Sequence, residues 1–223
     1  MQIRERKLKE AAYDLRFLLN RNYRKKNALT FVSNKYVLSL NERNYLGRSI
    51  FSNSIINSRK NKIINLPQIE NKYILIDGYN VLITTESICR KDYNSLVLCD
   101  DGIIRDINAV FGKYKFNKNT EVGLNTILKL IEGYKPYVTF FFDKQVSWSG
   151  KLAQLTKEIM VNMSIKGKAI VSENVDLDII KAREPKNGII ATSDGIIIDK
   201  VDKVIDIPSI FLKNMNIEIN NKF

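Results

Sequence analysis

The feature that most constrains the fold is a regular alternation of short apolar runs with segments of helical periodicity in the second part of the chain. Each apolar run is short enough for a strand, and the segments between them have the length and spacing of amphipathic helices. Strands that alternate with helices favour a parallel sheet covered by helices on both faces. The apolar runs lie at 73–76, 137–142, 168–171, 188–191 and 204–207, and the clearest helical patterns at 120–134, 149–164 and 208–214.

One irregular piece interrupts this order between the first two apolar runs. Residues 95–99 and 103–105 are apolar enough for strands, and they flank the turn sequence DDG at 100–102. A glycine-containing turn between two such segments predicts a β-hairpin. We therefore expect a hairpin inserted into the α/β order.

The first part of the chain has a different pattern and predicts a small all-α domain. Apolar residues recur at helical spacing, and Ser39 with Glu42 forms a capping-box pattern. A polar segment with Pro67 separates this part from the first apolar run. The predicted helices cover 6–20, 27–36 and 39–51, and the predicted domains are a basic helical domain at 1–55, a linker at 56–71 and an α/β domain at 72–223.

The positive charge of the chain is concentrated in its first quarter. The formal net charge is +12, and residues 1–60 contain 14 Lys and Arg against 4 Asp and Glu, a net charge of +10. Such a patch most often contacts phosphate backbones, so RNA is the expected partner; a generally lysine-rich composition is the alternative. The candidate nucleic-acid-binding residues are Arg16, Arg21, Arg24, Lys25 and Lys26.

The absence of histidine removes several classes of enzyme. Ser-His-Asp hydrolysis, Cys-His chemistry and ordinary zinc catalysis all need an imidazole, and the chain has none. The two cysteines, Cys89 and Cys99, have no CxxC spacing. The sequence also has no apolar run of membrane-spanning length and no signal-peptide core, so a cytoplasmic protein with no membrane contact is expected.

Three of the apolar runs end in an aspartate. The segments YILI, YVTFFF and GIIATS are followed by Asp77, Asp143 and Asp194. In a parallel sheet the carboxyl ends of the strands share one edge, where ligands bind. Clustered carboxylates repel one another unless a cation lies between them, and Mg²⁺ and Mn²⁺ prefer oxygen ligands. We expect these residues to be metal ligands and catalytic, with turn initiation or helix capping as the alternative role for each.

Further polar residues near these strand ends are candidates for the same site. Glu86 follows on a predicted helix, and Asp101 lies in the predicted hairpin; both are candidate catalytic residues. Gly78 would let the chain turn sharply after Asp77, whereas Asp176 and Asp178 are interpreted as a cap and a surface charge. Ser149 is also a candidate N-cap. The candidate phosphate-binding residues are Asn80, Arg105, Ser147 and Ser149.

At Asp77-Gly78-Tyr79-Asn80 the chain resembles the NYN division of the PIN-like nucleases, including the YacP-type ribonucleases. The segments IDGYNVLITTES, FFFDKQVSWSG and ATSDGIIID carry this resemblance. Together with DDGIIRD and DLRFLLNRNYRKKNALTFVSNKY, they also resemble an uncharacterised, mainly archaeal family that joins a short basic domain to a PIN-like domain. The resemblance implies a Rossmann-like fold with a Mg²⁺ or Mn²⁺ site at Asp77, Asp143 and Asp194, and more loosely at Glu86.

Three functions are compatible with these features. The leading hypothesis is a metal-dependent ribonuclease whose basic helices hold RNA. The second is a non-catalytic nucleic-acid-binding adaptor on the same scaffold. The third is a phosphohydrolase for a small phosphate ester, which ranks lower because Tyr79 stands where aspartyl-phosphate enzymes have a second aspartate. A homodimer stays open, since the sequence does not fix the oligomeric state.

Overall fold

The computed structural model describes residues 2–107, 114–183 and 187–219, with side chains from residue 5 onward, so the last residues of the predicted domain 72–223 lie outside it. The strands are β1 Tyr73–Asp77, β2 Leu96–Leu98, β3 Ile104–Asp106, β4 Tyr137–Asp143, β5 Gly167–Ser172 and β6 Ile189–Ala191. The helices are α1 Gln2–Asn20, α2 Lys25–Lys35, α3 Leu40–Ser49, α4 Asn53–Lys60, α5 Gly78–Cys89, α6 Lys118–Ile131, α7 Ser149–Asn162, α8 Val175–Arg183, α9 Gly195–Asp199 and α10 Ile207–Asn214.

Four of the strands form one parallel sheet in the order β5-β4-β1-β6. The strand β1 lies in the interior of the sheet, where Ile74 and Ile76 are completely buried and Leu75 is nearly so. A strand that is apolar at consecutive positions must be covered on both faces, and helices supply that cover here. The prediction of a parallel sheet flanked by helices is confirmed.

The fifth apolar run, 204–207, does not form a complete strand, so this part of the prediction is wrong. Val204 makes only isolated parallel bridges, to Ile63 and Ile190. The helix α10 then begins at Ile207, because Asp206 accepts a hydrogen bond from the Ser209 N–H at 3.0 Å and a proline occupies the first turn. A capping carboxylate followed by proline starts a helix and ends an extended segment.

The first part of the chain contains α1 to α4, one helix more than predicted. The capping box of Ser39 and Glu42 is present at the start of α3. The additional helix, α4, begins after Ser52, whose Oγ accepts a hydrogen bond from the Ile55 N–H. It occupies residues 53–60 and so extends into the segment predicted as a linker, because the apolar residues Ile55 and Ile56 pack against the core of the preceding helices.

The predicted hairpin is confirmed and connects the two parts of the molecule. Its strands β2 and β3 pair antiparallel, with Val97 opposite Arg105. Val97 and Cys99 are buried in the same apolar cluster as Leu15 and Phe51 of the helical part. The insertion therefore packs against the N-terminal helices, and its Arg105 reaches the sheet edge, where Nε donates to the Ser193 carbonyl at 2.8 Å.

In the described part of the chain, no helix combines the length and the apolarity needed to cross a lipid bilayer.

Candidate functional site

The three strand-end aspartates line one cavity at the carboxyl edge of the sheet. Asp77 ends β1, Asp143 ends β4, and Asp194 follows β6. With Asp176 they line a cavity of about 220 Å³, named here the carboxylate cavity. The cavity lies where the chain order of the strands reverses, because the chain leaves β1 for β4 on one side and returns to β6 on the other. This point of a parallel sheet is the usual location of a ligand site.

Asp77 is held by a network of neutral hydrogen bonds. Its Oδ2 accepts hydrogen bonds from the Asn80 amide and from Thr192 Oγ1, the second at 2.9 Å. Asn80 Oδ1 in turn accepts a bond from Ser193 Oγ at 3.0 Å. Burial and the nearby charge of Asp194 raise the pKa of Asp77 to about 7 although these bonds oppose the shift. The site therefore lacks positive charge at its buried carboxylate.

Gly78 follows Asp77 for a steric reason and not because the backbone needs a special conformation. The chain enters α5 directly at this residue. A Cβ atom at Gly78 would overlap the Phe142 ring and lie 2.8 Å from the Phe141 carbonyl oxygen. The chain thus changes from strand to helix at Gly78, and the absence of a side chain there allows the close approach between α5 and β4.

Asp194 caps a helix and Asp143 starts a turn, which are the alternative roles expected of such residues, but both also line the cavity. Asp143 Oδ1 accepts a hydrogen bond from the Gln145 N–H at 2.8 Å. Asp194 Oδ1 accepts one from the Ile196 N–H at 2.6 Å, at the start of α9. Because a carboxylate offers about four acceptor positions on two oxygens, one backbone bond leaves capacity for a further ligand.

Asp176 and Tyr79 complete the cavity wall, and neither was singled out from the sequence for the site. Burial, together with the charges of Asp194 and Asp143, raises the pKa of Asp176. The Tyr79 hydroxyl is buried and has no hydrogen-bond partner among the described residues. Asp176 lies beyond β5, four residues after its last residue, and only the folding of α8 brings it here.

The donor set of the cavity fits a hard divalent cation, but it does not form a complete cage. Among the described residues, no three Asp, Glu, Cys or His side chains are close enough together to hold a metal ion jointly. Magnesium usually keeps several waters and is bound through one or two carboxylates plus substrate phosphates. The ion pairs of the described residues use other acids, such as Asp100, Asp101 and Asp199, and leave the cavity aspartates without a cation.

Several predicted site residues lie outside the carboxylate cavity. Glu86 is buried between α5 and α6, where it accepts a hydrogen bond from Tyr114 Oη at 2.6 Å, and burial raises its pKa. Ser147 is exposed, and Ser149 is buried. The prediction of Ser149 as N-cap is wrong, since α7 begins at Ser149 and Trp148 precedes it in the left-handed conformation, with φ of 71°.

Asp101 is a buried ion-pair partner, whereas a catalytic acid must be accessible to the substrate. It is completely buried and accepts hydrogen bonds from Arg59 at 2.8 Å and from Arg105 at 2.7 Å through both guanidinium nitrogens. Burial alone would raise the pKa of Asp101, but the two arginines outweigh it and hold the pKa below its usual value. Arg59, from α4, had no signal in the sequence that separated it from other basic residues.

A second hollow of about 370 Å³, named here the cationic cleft, adjoins the carboxylate cavity. Both are lined by Asn80 and Asp194. The basic side chains of the cleft come from the helical part and from the hairpin, and its acids are Asp106, Asp194 and Asp199. The cleft basic residues are Lys25, Arg48, Arg59 and Arg105.

Of the predicted nucleic-acid-binding residues, Arg16 is used in an ion pair within the protein, whereas the other four are exposed or line the cationic cleft. Arg16 is bound to Asp100 by a guanidinium–carboxylate pair at 2.8 Å and so attaches α1 to the hairpin. The guanidinium of Arg21 lies over the Phe17 ring at 4.6 Å. Arg24 and Lys26 are exposed, and Lys25 lines the cationic cleft.

The comparisons with known proteins follow the same division of the chain. A family model described as a domain of unknown function, DUF5616, matches residues 66–210, which is more than half of the chain. The chain belongs to the DUF5616 family. A second model, described as a protein of unknown function, DUF434, matches residues 7–62. Neither is a PIN-like or NYN model, so the sequence-based family prediction is confirmed only as an uncharacterised two-part family.

A similar protein is the uncharacterized protein MJ0935 of Methanocaldococcus jannaschii. It is 37% identical over 202 residues, which cover 90% of this chain and 94% of the relative. The shared length includes both the helical part and the α/β part. No solved structure matches the chain.

Proposed function

We propose that the chain is a metal-dependent ribonuclease that hydrolyses RNA phosphodiester bonds at the carboxylate cavity. The observation that carries the proposal is that Asp77, Asp143 and Asp194, from three different strands, line one cavity with Asp176. These four side chains are not neutralised by ion pairs with basic residues in the described chain. Two of them, Asp77 and Asp176, have raised pKa values, and uncompensated acids of this kind in a cleft are a physical sign of a functional site.

The proposal includes a Rossmann-like scaffold of the PIN type. Counted in chain order, the parallel strands lie in the order 3-2-1-4, which is the first part of the Rossmann order. The carboxylate cavity lies at its switch point. Folds do not determine activity, so the argument for hydrolysis rests on the side chains of the cavity and not on this likeness.

The cavity aspartates would hold Mg²⁺ or Mn²⁺, with water and a substrate phosphate as the remaining ligands. When bound, the ion would supply water activation at neutral pH and charge stabilisation of the leaving oxygen. Asn80 and Thr192 fix the orientation of Asp77 through their hydrogen bonds. The backbone bonds to Asp143 and Asp194 fix those carboxylates in the same way.

The surface of the N-terminal helices supports single-stranded RNA as the substrate class. Aromatic side chains that are about half exposed or more lie among exposed basic residues there. Bases stack on such rings while basic side chains contact the backbone. The exposed aromatic residues are Tyr13, Phe17, Tyr23 and Phe31.

One observation favours a second function, a non-catalytic RNA-binding adaptor. The described residues contain no preformed group of three metal-ligating side chains. An adaptor would use the basic helices and leave the acids of the cavity without a catalytic role. The two functions differ in whether a divalent ion produces cleavage.

The test is a cleavage assay on a labelled single-stranded RNA with millimolar Mg²⁺ or Mn²⁺, comparing the wild type with Asp143→Asn. Asp143 is suitable because it is less buried than Asp77, so the substitution disturbs the core less. We expect cleavage that EDTA abolishes and a loss on the order of 10²–10³-fold in Asp143→Asn, the scale of losing one electrostatic group in an active site.

The matched control is Asp202→Asn, which removes the same charge at an exposed position paired with Arg183. It should cleave like the wild type. Absence of cleavage by the wild type with either ion, while RNA is still bound, would reject the ribonuclease and support the adaptor.

A further inference from the structure

Lys25 differs from Arg59 and Arg105 of the cationic cleft because its ammonium has no carboxylate partner among the described residues. The Nζ atom of Lys25 lies over the Phe51 ring, 3.7 Å from the ring centroid. Arg59 and Arg105 approach the same ring at 4.5 and 5.4 Å. Three cations therefore surround one aromatic ring at the wall of an open cleft.

The two arginines already have their countercharges. Arg59 pairs with Asp101 and Asp199 at 2.8 and 2.7 Å, and Arg105 pairs with Asp101 at 2.7 Å and donates to the Ser193 carbonyl at 2.8 Å. Burial and the charges of these arginines lower the pKa of Lys25 to about 8, although Asp101 opposes the shift. A cation kept in such surroundings costs stability, which an anion beside it would offset.

The position of the cleft indicates which anion. It adjoins the carboxylate cavity, and both are lined by Asn80 and Asp194. The acids of the cleft are Asp106, Asp194 and Asp199, and Asp199 is already paired with Arg59, whereas the ammonium of Lys25 has no carboxylate partner among the described residues. An anion would thus bind on the Lys25 side, next to the site proposed for hydrolysis.

We propose that the cationic cleft binds a phosphate group, with the Lys25 ammonium as its direct partner and Arg48 as a further basic side chain that lines the cleft. The group comes from the RNA strand whose scissile bond lies in the carboxylate cavity, or from a small phosphate ligand. This inference rests on the proposed function only where it assigns the phosphate group to an RNA strand. The helical part then supplies a wall of the substrate site as well as a general basic surface.

The experiment measures the affinity of a labelled single-stranded RNA in EDTA, over a series of KCl concentrations, so that no cleavage is involved. Lys25→Gln should bind about tenfold more weakly, the scale of one charge-assisted hydrogen bond. Its salt slope should fall by about 0.7, the value for one lost phosphate contact on a single strand. Lys25→Arg, which keeps the charge, should retain most of the affinity.

The matched control is Lys157→Gln, at an exposed position on α7 outside the cleft. Thermal unfolding in inorganic phosphate gives the second measurement. Phosphate should raise the midpoint of the wild type but not of Lys25→Gln, whose midpoint in EDTA alone should be unchanged or raised. A merely structural role for Lys25 would instead lower that midpoint.

The outcomes separate this inference from the proposed function. If phosphate no longer raises the unfolding midpoint of Lys25→Gln, but this variant binds RNA as tightly as the wild type, the cleft binds a small phosphate ligand. Equal RNA affinity and an equal phosphate response in Lys25→Gln and Lys157→Gln would overturn the cleft as a phosphate site, whether or not the wild type cleaves RNA. A chain that binds through Lys25 but never cleaves would overturn only the ribonuclease.

Discussion

Replacing Asp101 by asparagine tests whether the ion pairs of one buried carboxylate hold the helical part, the hairpin and the sheet edge together. Asp101 is completely buried, and the side chains of Arg59 and Arg105 are 5% and 9% exposed. Asparagine keeps the shape, but its amide nitrogen cannot accept the hydrogen bonds that the second carboxylate oxygen accepts. At least one guanidinium is then left buried without its countercharge.

The magnitude follows from what each arginine retains. Breaking a buried ion pair by removing one partner costs about 3–5 kcal/mol. Arg59 keeps Asp199, and Arg105 keeps the Ser193 carbonyl. We therefore expect the lower end of that range, a decrease of about 3 kcal/mol in the free energy of unfolding.

Urea denaturation followed by far-UV circular dichroism measures this change as a lower midpoint with an unchanged m-value. The matched control is Asp199→Asn, which removes the same charge from a side chain that is 47% exposed. It should cost at most about 1 kcal/mol. An Asp101→Asn protein within about 1 kcal/mol of the wild type would refute the argument that this carboxylate stabilises the junction.

The same variant has an expected pH dependence. The arginines hold the folded-state pKa of Asp101 below its unfolded value of 3.8. A carboxyl with a lowered folded-state pKa contributes stability above its unfolded pKa and loses it as the pH falls toward the folded-state value. The difference in unfolding free energy between wild type and Asp101→Asn should be constant from neutral pH down to about 4.5 and shrink below 3.8.

Two further predictions concern Gly78 at the start of α5 and the arginines of the helical part. Gly78→Ala should lower the free energy of unfolding by about 1–3 kcal/mol or more, because the new methyl group would meet the Phe142 ring and the Phe141 carbonyl. Urea denaturation measures this change. The control is Gly133→Ala, where nothing lies within 4 Å of the new methyl group. Arg24→Ala should weaken RNA binding, measured by fluorescence anisotropy, without changing the midpoint of thermal unfolding. Arg16→Ala should lower that midpoint, because Arg16 is bound to Asp100. A lower midpoint in Arg24→Ala, together with an unchanged midpoint and weaker RNA binding in Arg16→Ala, would refute this assignment.

The strands were predictable because burial on both faces requires apolar residues at consecutive positions, and that pattern is visible locally. The run 204–207 was mistaken for a strand because its apolar residues look like a strand until Asp206 and Pro208 are considered as a helix start. The helix α4 was missed because its few apolar residues carry a weak periodicity within a polar segment. Tertiary packing against the preceding helices stabilises it.

The sequence by itself determined that Asp77, Asp143 and Asp194 would meet, because parallel strands bring their carboxyl ends to one edge. It also determined that no imidazole contributes to the site, since the chain has no histidine. Only the tertiary structure decided the remaining parts. Glu86 went to a helix interface and Asp101 to a buried ion pair, while Asp176 joined the cavity.

The physical reason is the separation along the chain of the residues that determine each feature. A strand end is a local event, and its position can be inferred from a few neighbouring residues. The pairing of Arg59 with Asp101 and Asp199 joins residues 42 and 140 positions apart. No local pattern selects such partners, because they are chosen by how the helices, the hairpin and the sheet pack together.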